Sequence, residues 1–121
     1  MADRARTILD FKYEGEIQPI IKKWGDENGF HVRDIDEGII ECQRGGGVVM
    51  CPILLRVKQT GTKIHLETWL MVDILTQFTS LFSAPAQSPI DSSVNGLPRE
   101  RDVARLFVNK LLAELGQPPI L

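Results

Sequence analysis

Between Gly38 and Val72 the chain reads as a sheet with apolar residues on both faces. Glycine turns at Gly45-Gly46-Gly47 and Thr60-Gly61 divide it into long, alternating, β-rich segments. One face carries Ile40, Cys42, Val49, Cys51, Ile53, Leu55, Val57, Ile64, Leu66, Leu70 and Val72. The other centres on Ile39, Met50, Pro52, Leu54, Trp69 and Met71. Glu41, Gln43, Arg56, Lys58, Lys63, His65 and Glu67 surround that second set. A sheet resting on a single layer of helices should show a polar second face. An apolar patch there implies a cover: another part of the chain, a second copy or a partner.

Helices are expected on either side of this sheet. Ile17, Ile20, Ile21 and Trp24 fall at i, i+3, i+4 and i+7, predicting an amphipathic helix over 16–28. Pro19 fits its first turn and Asn28-Gly29 its end. At the other end, Val103, Ala104, Phe107, Leu111 and Leu115 make one stripe of a helix over 98–115, widened by Leu106, Val108 and Leu112. Asp73 reads as the cap of a short middle helix over 74–83, and 84–97 as a long loop with room for a strand near Ile90. Leu9, Phe11 and Tyr13 alternate, which suggests a short edge strand or extended arm over 7–14; residues 1–6 are expected to be disordered. Strands are expected over 30–34, 39–43, 48–58 and 62–72, with a bulge or break at Pro52, which lacks a ladder donor. The expected fold is α+β: a two-layer domain over 1–121, with an antiparallel meander of three to five strands packed by the N-terminal and C-terminal helices.

Size and charge narrow the function. A chain of 121 residues with net charge −2 has no basic excess for a general polyanion binder, so no nucleic-acid partner is expected. No apolar run reaches the ~18–20 residues of a membrane span, and no apolar leader core follows Met1. A cytoplasmic protein with reduced thiols is the expectation. Cys42 and Cys51 fall on one face, directly opposite or diagonal depending on where the glycine hairpin turns.

The leading candidate site is the second sheet face: Ile39, Met50, Pro52, Leu54, Trp69 and Met71, a surface for a protein partner or a homodimer. An expected loop at Thr60-Gly61 pairs Trp69 with Pro52 and Met71 with Met50. The alternative is an anion held by Arg99, Arg101 and Arg105 with Asn95 and Gly96, where arginines oppose the dipole of a helix start. His31 and His65 lack the companions of a zinc site, so no metal and no cofactor are expected. Asp34, Asp36 and Glu37 suit a turn. No nucleophile, base and orienting group can be named together, which argues against an enzyme. In size, acidity and helix–sheet–helix order the chain is similar to small secretion-chaperone-like domains, and that resemblance would imply a dimer that binds protein segments.

Overall fold

The computed structural model describes residues 6–45, 52–72, 86–92 and 98–121. They form an antiparallel sheet with two helices, an α+β fold. In chain order the elements are β1 (Thr7–Lys12), α1 (Gln18–Asn28), β2 (His31–Asp36), β3 (Ile39–Arg44), β4 (Ile53–Thr60), β5 (Lys63–Val72), β6 (Ala86–Ser88) and α2 (Pro98–Glu114). The strands lie in the order β1-β5-β4-β3-β2. β6 joins the same side of β5 as β1, further along: β1 runs beside Lys63 to Thr68, and β6 beside Leu70 to Val72. Trp69 therefore sits at the gap between two strands that share one edge.

The alternation in β3, β4 and β5 sorts their side chains as its period of two requires. Ile40, Cys42, Ile53, Leu55, Val57, Ile64, Leu66 and Leu70 are all buried in one hydrophobic cluster. Ile17, Ile21 and Trp24 of the first helical stripe join it, with Ala104, Val108, Leu111 and Leu112 of α2. Each large side chain removed from water in this way stabilises the fold by roughly 1.5–3 kcal/mol. Leu106 departs from the expected stripe: it is 58% exposed, on the far side of α2.

α1 ends where the sequence indicates. Gly29 takes φ 77° at its C-cap, and its N–H returns to the carbonyl of Gly25. Gly25 has a different role. A Cβ built there would lie 2.4 Å from Cγ2 of Val32, so only glycine lets α1 approach β2 this closely. Trp24 stacks on Phe30 at 4.4 Å between ring centres, Phe30 meets Phe107 edge-on at 5.8 Å, and the Trp24 indole donates to the Phe107 carbonyl at 2.9 Å. This aromatic group ties α1 to the start of β2 and to α2.

Two registers differ from expectation. The β4–β5 loop is Gly61-Thr62, not Thr60-Gly61, because Thr60 pairs with Lys63. Gly61, at φ 62°, takes the first loop position, where a tight hairpin needs a left-handed residue. The strands slide by two residues, which leaves the faces intact but changes partners. Trp69 pairs with Leu54 rather than Pro52. Between β3 and β4, Cys42 stands opposite Leu55, four residues beyond Cys51, so the tight hairpin expected at the glycines gives way to a longer connection. Cys51 and the strand expected over 48–51 lie outside the described residues, as do the middle helix at 74–83 and part of the 84–97 loop. Pro52 stands one residue before β4, at a position where a missing N–H costs no ladder bond; its carbonyl accepts from Met71 N at 3.0 Å.

The short strand near Ile90 is found a few residues earlier, as β6. Arg101 of α2 donates from Nε to the Pro89 carbonyl at 2.8 Å and from Nη2 to the Ser88 hydroxyl. Arg105 donates to the Ile90 carbonyl at 2.7 Å, and Ile90 N donates to the Thr7 hydroxyl at 3.0 Å. The segment from 88 to 90 is thus held between α2 and the start of β1.

Candidate functional site

The outer sheet face is built from the residues that alternate with the core. Cross-strand pairing lays them out in rows. Ile8, Glu67, Arg56, Glu41 and Arg33 form one row; Asp10, His65 and Lys58 form the next, and Lys12, Lys63 and Thr60 the one beyond it. In the opposite direction come Trp69 beside Leu54, then Met71 beside Gln87. Ile39, Leu54 and Met71 are half-buried, Pro52 is buried and Trp69 is 2% exposed. Met50 lies outside the described residues.

Trp69 is covered by charge. The Arg6 guanidinium lies 3.7 Å from its ring centre, and that of Arg56 lies 5.9 Å away. A cation over an indole face is attracted by the ring quadrupole, by about 0.5–2 kcal/mol. Arg6 is fixed there by donating to Gln87 Oε1 at 2.9 Å and to Glu67 Oε2 at 3.4 Å. Sequence reasoning missed Arg6, because nothing in a polar lead-in marks one residue as an aromatic lid. Beneath that lid, the Trp69 indole N–H is buried and has no hydrogen-bond partner among the described residues. A buried donor without an acceptor costs roughly 1–3 kcal/mol, and buried indoles normally find one.

Beside this patch the face is polar and tightly paired. Glu41 is 7% exposed and sits between two arginines. Arg56 Nη2 reaches one of its oxygens at 2.6 Å and Arg33 Nη2 the other at 2.8 Å. Hydrogen bonds from Arg33 and then Arg56 hold the Glu41 carboxyl below its ordinary value of 4.5, against the opposing effect of burial. Cys42, on the inner face, behaves in the opposite way. Burial, with a smaller contribution from Glu41, pushes its thiol up to about 12, so it stays protonated and a poor nucleophile.

The second set of expected site residues is divided. Arg99 is exposed at the start of α2, while Arg101 is 3% exposed and directed into the fold, where it donates to the Pro89 carbonyl and the Ser88 hydroxyl. Arg105 is bonded to the Ile90 carbonyl and to Asp102. Asn95 and Gly96 lie outside the described residues. His65 Nδ1 lies 2.7 Å from Asp10, whereas His31 is exposed on β2. Among the described residues no three His, Cys, Asp or Glu side chains group as metal ligands, and no helix is long and apolar enough to cross a membrane.

No family model, curated protein or solved structure matches this chain.

Proposed function

We propose that this chain is a non-enzymatic interaction module, and that its contact surface is the outer sheet face around Leu54, Trp69 and Met71, with Pro52 and Met50 extending it and Ile39, which pairs with Lys58, lying beyond the charged row of Glu41 and Arg56. The partner is a second copy of the chain. In this reading the molecule is a single two-layer domain, helices on the inner face and the outer face left for association, and it works in the cytoplasm with its thiols reduced.

The observation that carries the reading is the indole of Trp69, a buried donor with no acceptor among the described residues, on the face opposite the core. A partner that displaced the Arg6 guanidinium from the ring would bring a carbonyl or carboxylate to it. Half-buried Leu54 and Met71 adjoin it, and Met is an adaptable contact residue enriched at interfaces. A second copy suits the face because both charge signs alternate across it: Arg33, Glu41, Arg56 and Glu67 lie in one cross-strand row. A two-fold contact needs a surface complementary to itself, and such a row can meet its own rotated copy.

The test is the mass in solution of the wild type and Met71→Glu, by light scattering after size exclusion, with circular dichroism to confirm folding. Met71 is half-exposed, so a charge there should leave the core intact, unlike one at Trp69. The reading predicts a wild-type mass near twice 13.6 kDa and a folded Met71→Glu variant near 13.6 kDa. A wild type of single-chain mass at every accessible concentration would remove the second copy as the partner.

A further inference from the structure

Four to six residues along β5 from Trp69, roughly 13–20 Å away at the usual strand rise, the same face changes character. There Lys12 of β1 stands directly opposite Lys63 of β5, and His65 stands between Asp10 of β1 and Lys58 of β4. These five residues and Thr60, with Phe11 and Ile64 from the inner-face positions between them, line an open recess of about 660 Å³. Small-ligand sites fall roughly between 300 and 1,000 Å³.

We infer that this recess binds a compact, multiply charged phosphate compound through the amino groups of Lys12, Lys58 and Lys63.

Three observations support the assignment. First, like charges directly opposite on neighbouring strands repel, so the Lys12–Lys63 pair carries a cost that a bound anion would relieve. Second, among the described residues none of the three lysines makes an ion pair, whereas Arg6, Arg33, Arg56 and Arg105 all do. The basic side chains elsewhere on the described surface of the sheet are committed, and these are not. Third, the one carboxylate in the block is engaged with the histidine ring: Asp10 Oδ1 lies 2.7 Å from His65 Nδ1. The contact holds the imidazole in a fixed orientation beside the lysines. Lysine acts on phosphate as a point charge, without the planar match of arginine, and three such charges around one recess suit a ligand with two or more adjacent phosphates. The net charge of −2 for the whole chain disfavours a long polyanion and leaves a local, compact anion as the fit. This inference does not rest on the dimer reading: the recess begins in the row next to Glu67, Arg56 and Glu41, on the side away from Trp69.

The experiment is titration of the full chain with sodium tripolyphosphate at constant ionic strength, followed by amide chemical shifts, with sodium sulfate as the control anion. The wild type should saturate, with shifts centred on residues 10–12, 58–60 and 63–65. Lys12→Gln/Lys63→Gln should weaken binding at least tenfold, while Lys22→Gln/Lys23→Gln on the exposed side of α1 should leave it unchanged. Without ligand, the Lys12→Gln/Lys63→Gln variant should melt at the same temperature as the wild type or higher, which separates lost binding from lost folding. No saturation, equal binding of sulfate, or equal loss in the α1 variant would overturn the assignment.

Discussion

The two tryptophans are almost equally buried, Trp24 at 1% and Trp69 at 2% exposure, yet they are built into the molecule in opposite ways. Trp24 stacks on Phe30 and donates its indole N–H to the Phe107 carbonyl. Every part of it has a partner within the fold. Trp69 lies under the Arg6 guanidinium with its N–H unpaired among the described residues. Burial alone therefore does not describe the two indoles; the accounting of the polar atom separates them. Among the described residues Trp24 on the inner side has a partner for its N–H, and Trp69 on the outer face has none.

That contrast can be broken or sharpened by substitution, starting with the largest effect. Trp24→Ala should cost about 3–5 kcal/mol, since it opens a cavity among α1, α2 and Phe30. Urea unfolding followed by circular dichroism measures it, and a loss under ~1 kcal/mol would mean that the aromatic group is not the keystone described here. Trp→Phe is the finer probe, because it removes the N–H and keeps an aromatic ring. At Trp24 it removes a second hydrogen bond to the Phe107 carbonyl, which keeps its helical N–H partner, and should cost about 0.5–1.5 kcal/mol more than at Trp69, whose indole has no partner among the described residues. Equal losses at the two positions would show that the Trp69 indole has a partner after all.

Glu41 tests the polar part of the outer face. Its two oxygens are divided between Arg33 and Arg56, so Glu41→Gln should destabilise by about 1–3 kcal/mol near neutral pH. The sign with pH follows from its depressed folded-state pKa. The contribution is complete above the ordinary value of 4.5 and fades as pH falls through the lower folded-state value. The gap between wild type and Glu41→Gln in urea should therefore be constant from pH 5 to 7 and close in stronger acid. A gap that widened on acidification would contradict the pairing. The smallest expected effect is at Arg6. Arg6→Ala uncovers Trp69 and should cost about 0.5–2 kcal/mol, read as a drop in urea midpoint.

How legible the fold was depends on which forces set each part. The faces of β3, β4 and β5 follow from alternation, and both helical stripes from their spacing, because burial imposes a period on side chains. The register did not follow. Thr60, Gly61 and Thr62 offer two loop positions to one glycine, and only the requirement that Gly61 come first decides between them. β6 carries no alternation of its own: residues 86–88 become a strand by pairing with β5. Arg101 looked like an anion ligand because its acceptors, the Pro89 carbonyl and the Ser88 hydroxyl, lie on a segment that no side-chain pattern links to α2. The apolar outer face was legible as a set of residues, while the Arg6 lid and the unpaired indole depend on tertiary neighbours.

The most direct test of the central claim is the pair of indole N–H signals in a nitrogen–proton spectrum recorded over a dilution series, assigned with the two Trp→Phe variants. With only two tryptophans in the chain, each signal reports on one face of the sheet. The account predicts that the Trp24 signal stays fixed, and that the Trp69 signal moves with concentration and stops moving in Met71→Glu. A Trp69 signal that holds its position at all concentrations, in a chain whose mass stays at 13.6 kDa, would contradict it.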